Sequence, residues 1–195
     1  MAKGAQTREE ILQRAAVLFN TKGYTGAALS DIMDATGLKK GGIYNHFESK
    51  EALAIAAFDH AMAVIGASMQ QALSGKVHAR ERLRALLDFF ESYSRNPPIA
   101  GGCPIMNTAI ENDDGNPELR DRAKRAMESW RQFIVRTVRR GVERGELRSD
   151  ADAEQAATIF IATIEGSIML SKLYRDSSHI ERALAHLRHY LEEDL

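Results

Sequence analysis

Apolar residues along this chain recur at spacings of three and four, and strict alternation is almost absent. That periodicity places the apolar side chains of each segment on one helical face, which confines the chain to helix-on-helix packing and an all-α fold. Glycines mark the breaks. Gly23, Gly37, Gly75 and Gly145 each follow an apolar helical stretch, where a left-handed residue ends a helix at little cost.

Thr7 and Glu10 form a capping-box pattern and predict a first helix from Thr7 to about Gly23, with Ile11, Leu12, Ala15, Ala16, Leu18 and Phe19 inward. Short helices are predicted over 29–36 and 40–47, and Ser49 caps a fourth that runs to Ser74-Gly75. Further helices are predicted over 80–94 and 105–110, and from Asn116 to Gly145 with Pro117 at the first helical position. The last two span about 152–174 and 178–193, the second opening on another capping-box pattern, Ser178 to Glu181. Residues 96–104, NPPIAGGCP, are the clear Pro/Gly-rich interruption. Three short helices ahead of long ones divide the chain into a unit over 1–50 and a larger helical domain over 51–195.

Charge does little to narrow the function. The net charge is −1 over 195 residues, and residues 1–50 carry seven basic against five acidic side chains. The single cysteine, Cys103, excludes an intramolecular disulfide and fits a reducing compartment, so a cytoplasmic location is expected. No signal-peptide pattern and no uninterrupted apolar run of about 18 residues is present, so no membrane span is expected. The six histidines are dispersed, and although His186 and His189 share a face, a pair alone is not a structural zinc set, so neither a metal site nor a cofactor is expected. Phosphate-loop, nucleophile-elbow and dinucleotide patterns are absent, which speaks against an enzyme.

Helix 29–36, a glycine-centred turn and helix 40–47 make a helix-turn-helix, an arrangement that sets its second helix in the DNA major groove. Lys39 and Lys40 stand at the start of that second helix, where free backbone N–H groups already favour phosphate. Tyr44, Asn45 and His46 bring hydrogen-bonding groups a turn later, and Lys50 opens the next helix. Gly41 and Gly42 stand out, since each glycine inside a helix costs about 1 kcal/mol relative to alanine. Ile43 and Phe47 read as core residues of the small unit, and Tyr24 as a packing residue.

Residues 23–53, GYTGAALSDIMDATGLKKGGIYNHFESKEAL, resemble the DNA-binding domain of the TetR family of bacterial transcriptional regulators. Gly23-Tyr24, Leu29, Ile32, Gly37, Lys40-Gly41, Ile43-Tyr44, His46-Phe47 and Ser49 to Leu53 carry the resemblance. It implies Lys40 and Lys50 as phosphate contacts, with Tyr44 and His46 near backbone or base. Gly41, Gly42 and Asn45 fall where base edges are approached. The chain departs from the family at Ala27 and Ala28, where Thr or Ser commonly caps the second helix and touches phosphate. Thr25 and Ser30 are the candidates to take over that role.

The resemblance also implies a C-terminal domain that binds a small-molecule effector and forms a homodimer through its last two helices, presenting two reading heads to a palindromic operator. Independently, helix 152–174 is apolar nearly all round and needs cover on more than one side. Phe160, Ile164 and Ile168, with Ile180, Leu184, Leu187 and Leu191 of the last helix, are the candidate dimer residues. Candidate effector contacts are the large, soft side chains Phe58, Met62, Phe89, Phe90, Tyr93, Met106, Trp130, Phe133 and Met169. Asn107 and Glu165, polar among apolar neighbours, join them, because a buried amide or carboxylate needs a partner. Cys103, in Gly-Gly-Cys-Pro at a helix start, is a candidate sensor thiol: the helix dipole favours a thiolate there, and similar segments occur in a branch of the family. The expected function is a ligand-responsive dimeric repressor. A dimer controlled by Cys103 or lacking an effector, and an all-α enzyme with a structural helix-turn-helix, are the alternatives.

Overall fold

The computed structural model describes residues 3–195, which form nine helices and no strand. They are α1 (Lys3–Lys22), α2 (Leu29–Thr36), α3 (Lys40–Tyr44), α4 (Lys50–Ala72), α5 (Ala79–Arg95), α6 (Pro104–Glu111), α7 (Pro117–Glu143), α8 (Ala153–Tyr174) and α9 (Ser178–Glu193). Helix ends follow local chemistry. Gly37 closes α2 at φ 69°, its N–H returning to the Met33 carbonyl. Ser49 Oγ accepts the Ala52 N–H at 3.0 Å to open α4, and Asn116 Oδ1 accepts from Glu118 and Leu119 to open α7.

Three boundaries differ from expectation. Helix α1 begins at Lys3, so Thr7 and Glu10 lie inside it and form no N-terminal box. Helix α3 ends at Tyr44 instead of continuing to Phe47. At α9 the cap residue is Ser177, and Asp176 accepts the Ser178 N–H at 2.9 Å, so the Ser178–Glu181 pattern does not open the helix. At α3 the Gly41 and Ile43 carbonyls take the N–H groups of Asn45, His46 and Phe47, and at α9 Asp176 takes the Ser178 N–H, so other groups serve those ends.

Packing groups the chain into two compact units: Met1–Ile65 with Ile99–Arg125, and Gly66–Pro98 with Ala126–Leu195. The first unit extends past the expected boundary at residue 50, taking in α4 as far as Ile65 and the segment 99–125. In the first unit Ile11, Leu12 and Ala15 of α1, Ile32 of α2, Ile43 of α3 and Leu53 and Ala57 of α4 share one core with Phe47 and Ile99. Arg14 ties α1 to α2 by donating to the Ala35 carbonyl at 2.7 Å. In the second unit α9 packs against both α5 and α8. Helices α4 and α8 are long and apolar enough to cross a membrane by length and composition, but their apolar residues are also core-forming: Leu53 of α4 and Phe160 and Ile164 of α8 are fully buried.

The residues expected to join two copies have another place. Phe160, Ile164, Ile168, Ile180, Leu184, Leu187 and Leu191 are all buried within the chain. The stripe on α9 is consumed by α5 and α8, so it belongs to the interior of one protomer. The apolar side chains that α8 leaves exposed are Met169, Leu170, Leu173 and Tyr174.

Candidate nucleic-acid interface

The α2–α3 pair presents a polar surface because its apolar side chains face α1 and α4. Lys39, Lys40, Gly41 and Asn45 are exposed, and Gly42, Tyr44 and His46 are half-buried. The Lys40 ammonium lies 5.7 Å from the Tyr44 ring centroid, and Lys50 stands 4.6 Å over the Tyr24 ring. Thr25 and Ser30 are exposed near the start of α2. Every expected DNA-contact residue thus belongs to the first unit, and all are at least partly open to solvent.

The two glycines have no internal reason. Neither takes a positive φ. A Cβ at Gly41 would meet nothing within 4 Å, and one at Gly42 would only reach ordinary contact with Leu38 at 3.5 Å. The fold would accept alanine at both positions.

The start of α2 is anchored without a side chain on its cap. Ala28 offers none, but Asp31 reaches back and accepts the Ala28 N–H at 2.8 Å while pairing with Lys22 at 2.7 Å. The Lys22 hydrogen bond first, and the Ala28 N–H second, hold the Asp31 carboxyl below its usual range. Asp31 therefore supplies half of a capping box, a role visible in sequence only as an acid three residues beyond the cap position. Ala27 is fully buried and acts as core.

Behind this surface, two asparagines and a glutamate fasten α6 to the rest of the first unit. Asn20 of α1 donates to the carbonyls of Ala100 and Gly102 at 2.8 and 3.0 Å. Asn107 of α6 donates to Asn20 Oδ1 at 2.8 Å and to the Gly101 carbonyl at 3.0 Å. Asn107, expected to face an effector, thus directs its amide N–H groups at protein partners. The loop lies close against α1, and a Cβ on Gly101 would sit 2.6 Å from the Asn20 carbonyl oxygen. Glu111, at the other end of α6, accepts the backbone N–H groups of Tyr24 and Thr25, each at 2.8 Å. Burial pushes the Tyr24 phenol above its usual range, and the charges of Glu51 and Glu111 add to the effect. Nothing in the residue spacing announces the Glu111 contact.

The remaining effector candidates do not form one group. Phe58 and Asn107 border a recess of about 40 Å³ with α1 and α7 residues, enough for a few waters but not for an effector. Cys103 is the buried cap residue of α6, and Met62 and Met106 are half-buried. In the second unit Phe89, Phe90, Tyr93 and Trp130 cluster, with Trp130 stacked on Phe90 at 5.1 Å and Phe89 edge-on to Phe90 at 5.2 Å. The Trp130 indole N–H is buried without a hydrogen-bond partner among the described residues. Glu165 is buried, Met169 is exposed, and Phe133 lies beneath Arg82, 5.2 Å from its guanidinium.

Comparison with known proteins decides what this arrangement is. Residues 11–57 match the bacterial regulatory proteins of the tetR family, and residues 79–187 match the tetracyclin repressor-like C-terminal domain. The chain belongs to the TetR family. A TetR transcriptional regulator from Chloroflexus aurantiacus J-10-FL is similar at 48% identity and TM-score 0.95, covering 99% of this chain and 98% of that one. The HTH-type transcriptional repressor DhaR of Mycobacterium sp. strain GP1 is 27% identical over 180 residues, 91% of this chain and 88% of its own length. The TetR-family regulator CifR, solved as a cysteine mutant complexed with 26 bp double-strand operator DNA, is 26% identical with a TM-score of 0.79, covering 95% of each chain. This TetR-family protein is a helix-turn-helix transcriptional regulator and not an enzyme. Its α2–α3 unit is the DNA-binding element of the family.

Proposed function

We propose that the protein is a homodimeric repressor that grips a palindromic operator through α3 and releases it when a small molecule binds. The observation that carries the reading is the pair Gly41 and Gly42: the fold does not require either glycine, yet both sit in α3 between Lys40 and Tyr44, Gly41 exposed and Gly42 half-buried. Bare backbone there lets the duplex come close, while Lys40 and Lys50 neutralise phosphate and Tyr44, Asn45 and His46 reach toward bases. Thr25, Ser30 and Lys39 flank that contact.

Two copies place two α3 helices on half-sites about 34–36 Å apart. The exposed Met169, Leu170, Leu173 and Tyr174 of α8 support a dimer surface on this helix. The buried, unsatisfied Trp130 N–H beside Phe90 supports an effector with a hydrogen-bond acceptor and an apolar body. Helix α6 supplies a route to α2: it bears Cys103, Met106 and Asn107 along its length, and Glu111 at its end holds the α1–α2 turn. An effector that favours one position of α6 changes the population of DNA-competent dimers.

The test is binding of the full chain to duplexes drawn from upstream sequences, read by fluorescence anisotropy at physiological salt. A preferred site with a K40Q/K50Q variant that binds all sequences more weakly, with a shallower salt dependence, is expected. Failure of every duplex to exceed random DNA would end the reading.

A second reading places the signal on Cys103, which caps α6 next to the loop that Asn20 and Asn107 hold. Treatment with a mild alkylator, followed by mass spectrometry and the same anisotropy assay, separates the two. An unmodified Cys103 with unchanged DNA affinity excludes the thiol as the input.

A further inference from the structure

Many arginines of the second unit stand in ion pairs. Arg84 meets Glu192, Arg131 and Arg139 share Glu154, Arg148 meets Asp150, and Arg188 meets Asp88 and Glu91. Several that lack such a partner gather at one place. A cleft of about 370 Å³ between the start of α5 and the C-terminal half of α7 is lined by Lys76, Arg82, Arg136, Arg140 and Arg144, with Phe133 and Thr137 on its floor. Lys76, Arg82, Arg136 and Arg140 form no ion pair with any described carboxylate.

The one carboxylate lining the cleft is already committed. Glu146 accepts the Ala79 N–H at 2.7 Å at the start of α5, lies 3.9 Å from His78, and stands 4.0 Å from Arg144. The walls are brought together by Gly141, where a Cβ would fall 2.6 Å from that of Ala79 and 2.7 Å from Leu147. Arg82 is positioned twice, donating to the Lys76 carbonyl at 3.0 Å and lying over the Phe133 ring. Arg136 and Arg140 lie four residues apart on one face of α7, a spacing at which like charges repel along a helix, and Arg144 follows just past its end. The sequence thus accepts a local electrostatic cost in the same unit where it neutralises most other arginines.

We infer that this cleft is an anion site for a phosphorylated small molecule bearing at least two phosphoryl groups. Guanidinium groups match phosphate oxygens by paired N–H donors, and a concave, one-signed surface concentrates the field on a small ligand. The volume lies at the lower end for small-molecule sites, sized for a compact polyphosphate and not for a protein partner. The site lies wholly within the second unit and uses none of the DNA-contact residues, so it stands apart from the operator reading.

Isothermal titration of the full chain with inorganic pyrophosphate and with ATP, each at physiological salt, tests the inference, with sulfate as the control anion. Saturable binding at one site per chain is expected, with sulfate at least tenfold weaker. R136Q/R140Q should weaken pyrophosphate at least tenfold while leaving the melting temperature and DNA affinity unchanged, since neither side chain holds a partner in the fold. R82Q supplies a second variant on the opposite wall and should weaken binding as well. The inference is overturned by absence of saturable binding, by sulfate binding equally well, or by affinity that survives R136Q/R140Q. It is also overturned if binding is lost instead in K39Q/K40Q, which would assign the anions to the DNA surface.

Discussion

Glu111 of α6 accepts the backbone N–H of Tyr24 at 2.8 Å, bridging 87 positions of sequence to hold the turn that leads into α2. The same carboxylate takes the Thr25 N–H, and Gly23 leaves it room: a Cβ there would come within 2.9 Å of both Glu111 oxygens. Glu111 thus holds the turn ahead of α2, and Asp31 anchors the first residues of the helix itself.

Removing that carboxylate should loosen the reading head without unfolding the chain. E111A leaves two backbone N–H groups to water, and a loss of about 1–3 kcal/mol is expected for hydrogen bonds to a charged acceptor. Urea denaturation measures the loss, and operator affinity should fall with it. Stability and affinity both unchanged would mean that the clamp is incidental.

At the front of α3, stability and DNA affinity should move in opposite directions. G42A meets only the Leu38 side chain at ordinary contact distance, so it should stabilise α3 by up to about 1 kcal/mol. The added methyl lies beside Leu38 in the recognition helix, and operator affinity or sequence preference should change. A thermal melt paired with anisotropy reads both; a stabilised protein with wild-type recognition would show that the glycine serves no contact.

Acid should weaken the anchor of α2. Because Lys22 and the Ala28 N–H lower the Asp31 pKa in the folded chain, its contribution is present above the ordinary carboxylate range and is lost as pH falls through the depressed value. D31N removes that contribution at neutral pH. The stability gap between D31N and the parent, taken from urea midpoints at pH 7 and pH 3, should shrink at the lower pH. A gap that stays constant would contradict the linkage.

The exposed end of α8 is the place to break a dimer. Leu173 is 67% exposed and Met169 43% exposed, so L173E and M169E should leave the protomer folded. Sedimentation should then shift from two copies to one, with a matching loss of affinity for a palindromic site. A dimer that survives both substitutions would move the interface elsewhere.

The exposed positions show why the expected dimer residues proved to be core. An apolar stripe on α9 at spacings of four, three and four states only that something covers it, and α5 and α8 do. Leu173 and Tyr174 continue the apolar run of α8 past its buried stripe, and both are exposed in the chain. Asp31 was legible in the same limited way, as an acid at the right distance from a cap that lacked a side chain. Asn107 was singled out as a polar group needing a partner, and that partner is Asn20, 87 residues away.

What the sequence determined by itself is local. Helix positions, the glycine stops, the Ser49 and Asn116 caps and the family signature across residues 23–53 all depend on groups within a few residues of one another, and periodicity and capping report on those directly. The tertiary structure alone decided which distant groups meet: Glu111 with Tyr24, Asn107 with Asn20, and Arg136 and Arg140 with Lys76 and Arg82 around one cleft. The reason is physical. A helix sets the face a side chain takes, but its neighbour across the core depends on how whole helices pack, and side-chain spacing along the chain carries no direct record of that packing.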